Sequence, residues 1–169
     1  RVVPTLFAST NPGDLFVVRC IGNLVPPQTG MAEDNSALAA LEFSVLELGV
    51  KDIIVCGHSE CGAIAMLCAP EKDERFTHLN TWLKYGKPSI TRFNNGFTLD
   101  AALSKQNQIS QINIVQQIDH IKSHSFVQER IDKGTLRIHG WWFDIAEANV
   151  YCYEEDQSKF IMIDDAEAE

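Results

Sequence analysis

The sequence has no apolar run near the ~20 consecutive residues that a helix needs to cross a lipid bilayer. It is also short of positive charge, since 14 Lys and Arg residues stand against 23 Asp and Glu residues, for a formal net charge of -9. Broad surfaces for nucleic acid or anionic membranes depend on clustered basic side chains, so we expect neither partner. A local anion site remains compatible with this balance.

An even set of cysteines at disulfide-like spacing is also missing. The chain has five cysteines, and their irregular spacing favours a reducing compartment, hence the cytoplasm. No signal peptide is visible, but the chain opens on Arg1 rather than on Met. We therefore expect a cytoplasmic protein in which further sequence precedes Arg1.

What the chain does have is the composition of an ordinary globular protein. It has 169 residues, of which 45% are hydrophobic and 22% are charged. A compact chain of this size buries about 70% of its unfolded surface, enough for one sizeable core. Length and composition predict a single domain over residues 1–169, with no internal repeat or low-complexity segment.

Hydrophobic patterns predict alternating strands and helices. Leu15–Arg19 and the continuous apolar run Asp52–Cys56 are typical of strands, and Ala37–Leu48, capped by Asn35 or Ser36, is typical of a helix between them. A further helix is expected from Ser59 to Cys68. This βαβ order predicts an α/β fold with a mostly parallel central sheet and flanking helices. The later segments are predicted to be helices at His78–Tyr85, Leu99–His124 and Phe126–Lys133, a loop at Lys87–Gly96, and strands at Thr135–His139, Asn149–Tyr153 and Lys159–Ile163.

The residues most suggestive of chemistry follow the strand Asp52–Cys56. His58 and Cys61 stand where a buried strand gives way to a helix, and active sites of α/β sheets gather at such strand ends. A helix N-terminus favours a thiolate, and imidazole with thiolate is a normal pair of zinc ligands. Taken alone, the same pair fits a cap-region histidine and a buried cysteine better than a zinc site, because two ligands do not make such a site. Arg1 and Arg19 are candidates to hold an anion or, more ordinarily, surface arginines.

Beyond this turn, an ordered series of motifs resembles the β-class carbonic anhydrases. The beginning of the chain, Arg1–Pro4, is similar to the end of that family's Cys-x-Asp-x-Arg-Val-x-Pro motif. The remaining similar segments are Pro12–Arg19, Gly22–Pro26, Ala40–Val45, Ile53–Ala63, Phe126–Arg130 and Leu136–Ile145. The likeness extends over nearly the whole chain, and the ordered series is specific although no single piece is.

The resemblance implies a role for particular residues. His58 and Cys61 match two zinc ligands, and Arg1 matches the arginine that pairs with the catalytic aspartate. The other cysteine ligand would lie four residues before Arg1, and the aspartate two before it. Four positions match those that line the small apolar substrate pocket, partly from the neighbouring subunit: Phe16, Ile21, Phe43 and Gly62. The implied function is zinc-dependent, reversible hydration of carbon dioxide to bicarbonate by a homodimer or homotetramer.

Several positions depart from the family pattern. Position 43 is often Tyr, so Phe43 removes a hydroxyl from the pocket, and Cys20 replaces the usual Asn. Some members have a non-catalytic bicarbonate site that contains an Arg and a Tyr. Arg19 matches the former, but Phe143 lacks the hydroxyl of the latter, so we expect no such inhibition here.

Two other functions are compatible with the residues. Carbon disulfide or carbonyl sulfide hydrolases resemble the family closely and would use the same zinc site. A non-catalytic, zinc-less binding or scaffold domain is the second alternative, favoured if Arg1 is the true start. A cysteine nucleophile that uses His58 and Cys61 is more distant, since it leaves the resemblance unexplained.

Overall fold

A computed structural model describes residues 2–29, 35–71 and 73–163. The helices are α1 Pro4–Phe7, α2 Ser36–Glu42 with a π-helical extension Phe43–Glu47, α3 Gly62–Cys68, α4 Thr77–Trp82 with a 3-10 extension Leu83–Gly86, α5 Lys87–Asn94, α6 Lys105–Lys122 and α7 Ser125–Asp132. A 3-10 turn spans Ile21–Asn23, and the strands are β1 Asp52–His58, β2 Arg137–Asp144, β3 Asn149–Glu154 and β4 Lys159–Met162. Within this part of the chain, no helix is both long and apolar enough to cross a membrane.

The strands form one sheet in the order β1-β2-β3-β4, with helices against it. β1 runs parallel to β2, with Asp52 opposite Arg137 and His58 opposite Phe143. The expected α/β fold is confirmed, but in the described residues the parallel pairing is confined to β1 and β2. β2, β3 and β4 are antiparallel neighbours because short turns join them, and a short turn cannot return a chain to a parallel position.

Two sequence predictions about local structure are wrong. Leu15–Arg19 is not a strand: it finds no strand partner among the described residues, and Phe16, Val17 and Val18 are exposed. A β-rich run becomes a strand only when another strand pairs with it. Lys87–Gly96 is not a loop, because Lys87–Asn94 forms α5.

The predicted loop becomes a helix because of its neighbours. Pro88 lies in the first turn of α5, where a proline costs no intrahelical hydrogen bond. Ser89 is fully buried against α6, and its hydroxyl donates to Asn113 Oδ1 at 3.0 Å. The packing of α5 on α6 therefore outweighs the polar, turn-rich composition of the segment.

The long helix α6 lies directly on the parallel pair of strands. Ile114, which is fully buried, sits over Gly57 of β1 and Gly140 of β2. A Cβ atom at Gly57 would come within 2.8 Å of Ile114 Cδ1, and one at Gly140 within 2.9 Å of Ile114 Cγ2. The two glycines thus allow a close approach of helix and sheet that any side chain would prevent.

A row of buried polar side chains joins α6, and the histidine just after it, to the segment 22–26. Burial removes these backbone N–H and C=O groups from water, and each side chain supplies the hydrogen bond that water would otherwise make. The bonds are Asn113 Nδ2 to Gly22 O at 3.0 Å, Val25 N to Gln117 Oε1 at 2.8 Å, His120 Nδ1 to Val25 O at 2.8 Å and His124 Nε2 to Pro26 O at 2.9 Å. His120 and His124 therefore have a structural role.

Candidate metal centre

The candidate site is the turn between β1 and α3. His58 is the last residue of β1, and Ser59, Glu60 and Cys61 connect it to α3. Ser59 fixes the turn to the end of β2: its N–H donates to Phe143 O at 2.9 Å, and its hydroxyl accepts from Ile145 N at 2.8 Å. The turn therefore lies at the carboxyl end of the parallel pair, where α/β sheets usually place their sites.

The structure brings the two predicted ligands together, since the imidazole of His58 and the thiol of Cys61 lie close enough to shift each other's pKa. His58 Nδ1 donates to Ser59 O at 2.7 Å, which fixes the plane of the ring. The proximity of Cys61 raises the pKa of His58, an effect that burial opposes and the bond to Ser59 reinforces.

Cys61 lies directly before α3 and is only 6% exposed. Burial raises the pKa of its thiol, but the imidazole of His58 and the backbone N–H groups of Ile64 and Ala63 together hold it below the ordinary value. A cysteine binds metal as the thiolate, so these surroundings favour the form that acts as a ligand.

Three polar side chains at the start of α6 hold the turn from the other side. Gln106 Nε2 donates to Cys61 O at 3.0 Å, and Ser110 Oγ donates to His58 O at 2.8 Å. Asn107 binds Glu60 twice, through the Glu60 N–H and the Glu60 carboxylate. The sequence analysis did not predict these contacts. The one indication in the sequence was that polar residues lie on a face of α6 that should pack on the sheet.

The donors fit zinc. Thiolate and imidazole are its usual ligands, and a ligating histidine commonly donates its other ring N–H to a carbonyl, as Nδ1 does here. Within residues 2–29, 35–71 and 73–163, no group of three or more His, Cys, Asp or Glu is placed to hold a metal ion. Among the described residues, His58 and Cys61 are thus two candidate donors, fewer than the three or four protein ligands that a zinc site uses.

The four predicted pocket residues fall into two groups. The rings of Phe16 and Phe43 contact each other, with centroids 5.9 Å apart, and each residue is 49% exposed. Ile21 is exposed, and its carbonyl accepts from Trp82 Nε1 at 2.9 Å. Gly62 opens α3 directly after Cys61, and the 3-10 turn that starts at Ile21 packs on α3.

The two arginine candidates differ in what can be said of them. Arg1, predicted to be catalytic, lies outside the described residues. Arg19 is exposed, and its Nη1 donates to Val2 O at 3.1 Å.

A separate cleft of about 290 Å³ opens between α6 and the strands β2 and β3, and none of the predicted site residues lines it.

Comparison with known proteins identifies the family. A family model described as "Carbonic anhydrase" matches residues 1–150. The chain is similar to "Beta carbonic anhydrase 1" of Caenorhabditis elegans, with 33% identity over 98% of this chain and 73% of that protein.

Solved structures agree with this match. The fold is similar to that of the β-carbonic anhydrase CcaA, with a TM-score of 0.85 and 29% identity over 96% of this chain and 73% of the other. It is also similar to a tetrameric β-carbonic anhydrase of Sordaria macrospora, with a TM-score of 0.72 and 32% identity over 88% and 72% of the two chains. Neither these relatives nor the family match favours the hydrolase or scaffold alternatives. The chain belongs to the β-carbonic anhydrase family.

Proposed function

We propose that the protein is a zinc enzyme that catalyses the reversible hydration of carbon dioxide to bicarbonate and a proton. The observation that carries this proposal is the placement of His58 and Cys61 side by side on the turn between β1 and α3, in a chain of this family. We further propose that residues 1–169 form one catalytic domain. Its cysteines, all free thiols, suit the reducing cytoplasm.

In this proposal His58 and Cys61 hold the metal. The Nδ1–H bond to Ser59 O leaves Nε2 of the ring as the nitrogen available to a metal. The chemistry that zinc supplies when bound is Lewis acidity, which makes a water molecule acidic enough to lose its proton near neutral pH. The remaining cysteine ligand and the catalytic aspartate are expected in sequence that precedes Arg1.

Arg1 and the apolar residues would serve the substrate. The guanidinium of Arg1 would pair with the catalytic carboxylate, keep it ionised and fix its orientation. Phe16, Ile21, Phe43 and Gly62 would form a wall that excludes water and suits a small apolar molecule. The position of Gly62, next to Cys61, supports this placement of the wall.

We also propose a homodimer or homotetramer in which neighbouring subunits complete each pocket. Half of the surface of Phe16 and of Phe43 is uncovered in a single chain, and the nearby Val17, Val18 and Leu46 are exposed as well. Exposed apolar side chains that cluster in one patch usually mark a surface that another protein covers. Light scattering of the full-length protein tests the assembly, and an active monomer would refute it.

Metal analysis and carbon dioxide hydration assays test the proposed site. In the full-length protein, His58→Ala and Cys61→Ser should each lose most of the zinc and the stopped-flow hydration activity. The matched controls are His78→Ala and Cys68→Ser, which change the same residue types outside the turn and should keep both. Arg1→Ala should keep zinc and lose turnover.

The outcomes separate the possibilities. Wild-type zinc content in both His58→Ala and Cys61→Ser would refute the ligand assignment. Undiminished turnover of Arg1→Ala would refute the role of Arg1. Activity of the wild-type protein on carbon disulfide alone would replace the proposed substrate.

A further inference from the structure

The turn that carries the two zinc donors contains a strained residue. Glu60 has φ 53°, a left-handed conformation that a side chain disfavours and that glycine adopts freely. It stands between His58 and Cys61, so its backbone conformation sets how the imidazole and the thiol face each other. Such a conformation persists only where surrounding contacts hold it.

Asn107 supplies those contacts. Its Oδ1 accepts from the Glu60 N–H at 2.9 Å, and its Nδ2 donates to Glu60 Oε1 at 3.2 Å. One amide therefore engages both the backbone and the side chain of the strained residue. Asn107 is itself fixed, because Ser104, the N-cap of α6, accepts from the Asn107 N–H at 3.3 Å.

The neighbours of Asn107 hold the residues on either side of Glu60. Gln106 donates to the carbonyl of Cys61, and Ser110 to the carbonyl of His58. The first turns of α6 are thus hydrogen-bonded to the backbone of His58, of Glu60 and of Cys61. Metal–ligand distances in proteins fall within about 0.2 Å of their standard values, so control of the donors' backbone at this point bears on metal affinity.

We propose that Asn107 is a positioning residue that holds Glu60 in its left-handed conformation and so presets the geometry of His58 and Cys61 for the metal. This inference rests on the proposed function, since it requires that His58 and Cys61 bind zinc. Gln106 and Ser110 support the same arrangement.

The test measures metal binding rather than activity alone. Zinc affinity is measured in the full-length protein by competition with a chelator, and the thiolate-to-metal absorption band is recorded after loading with Co²⁺. Asn107→Ala should bind zinc about 10- to 100-fold more weakly, the usual effect of losing an outer-shell partner, and should shift the Co²⁺ band. The matched control is Gln108→Ala, whose side chain bonds to Leu103 and Thr98 instead of the turn.

A second pair of variants keeps the size of the side chain. Asn107→Asp can still accept from the Glu60 N–H, but its carboxylate faces that of Glu60, so it should also weaken zinc binding. Adding Glu60→Gln places an amide donor opposite the new carboxylate and should restore most of the affinity and the Co²⁺ band. A purely structural role would lower the unfolding temperature of the variants without this recovery of the metal signal.

The outcomes distinguish this inference from the proposed function. If the wild-type protein binds zinc and Co²⁺, but Asn107→Ala and Asn107→Asp keep wild-type affinity and spectrum, Asn107 has no positioning role and the function stands. If wild-type protein binds neither metal, both fail. Should Asn107→Ala not fold, the Asn107→Asp and Glu60→Gln pair gives the decision.

Discussion

Replacing Gly57 with alanine should destabilise the fold through a single contact. The added Cβ would lie 2.8 Å from Cδ1 and 2.9 Å from Cγ1 of Ile114, closer than carbon atoms pack. Ile114 is fully buried between helix and sheet, so it cannot swing out into solvent. Overpacking of this kind costs about 2 kcal/mol, or roughly 4–8 °C in Tm for a chain of this length.

A double-mutant cycle isolates that contact. Ile114→Val removes Cδ1 and alone should cost about 1 kcal/mol, as such truncations do. Combined with Gly57→Ala it also removes the closest clash, so the double variant should be more stable than the sum of the single effects by about 1 kcal/mol. Urea unfolding in the presence of a chelator gives the free energies without a contribution from metal binding.

The control for backbone effects is Gly62→Ala. A Cβ at Gly62 meets nothing within 4 Å, so its free energy of unfolding should change by less than about 0.5 kcal/mol. The reasoning is refuted if Gly57→Ala is as stable as wild type, or if the cycle with Ile114→Val is additive.

The pH dependence of stability and the cap of α2 give two further predictions. Burial holds the pKa of His120 below its ordinary value of about 6.5, so the unfolded chain takes up a proton at this position first as pH falls. The contribution of His120 to the free energy of unfolding should therefore decrease from pH 7.5 to pH 5.5, while the raised pKa of His58 acts in the opposite direction. His120→Gln, which can still donate to Val25 O, should lose less stability than the wild type over this interval in urea titrations; an identical pH profile would contradict this. Asn35 Oδ1 accepts from the N–H groups of Ala37 and Leu38 and so caps α2. Asn35→Ala should therefore lower the free energy of unfolding by about 1 kcal/mol, and Asn35→Asp by much less. Equal losses of the two variants in thermal unfolding would contradict the capping role.

Some of the fold could be predicted because its signals are local. Ile53–Cys56 is uniformly apolar, and β1 extends from Asp52 to His58; Asn35 precedes an apolar helical stripe and caps α2. The segment Lys87–Asn94 carries no comparable pattern, and it is helical because it packs on α6. Leu15–Arg19 shows the converse, since this strand pattern has no partner strand among the described residues and forms an exposed segment outside any strand or helix.

The same distinction applies to the candidate site. His58 and Cys61 are three residues apart, so the sequence already placed them on one turn. The side chains that hold this turn come from about 50 residues further along the chain. Local sequence patterns do not show which residues so far apart will form hydrogen bonds. Arg1 stays a prediction, because it lies outside the described residues.

The length of α6 has a mechanical consequence for the site. Its first turns hold the His58–Cys61 turn, while Asn113, Gln117 and His120 further along hold the segment that follows Ile21. Its 18 residues form a rod of about 27 Å, stiff on the scale of side-chain motion. A slide or rotation of this rod would carry His58, Cys61 and the segment after Ile21 in the same direction. The relative position of the turn and this segment should therefore change little when the helix moves as a whole.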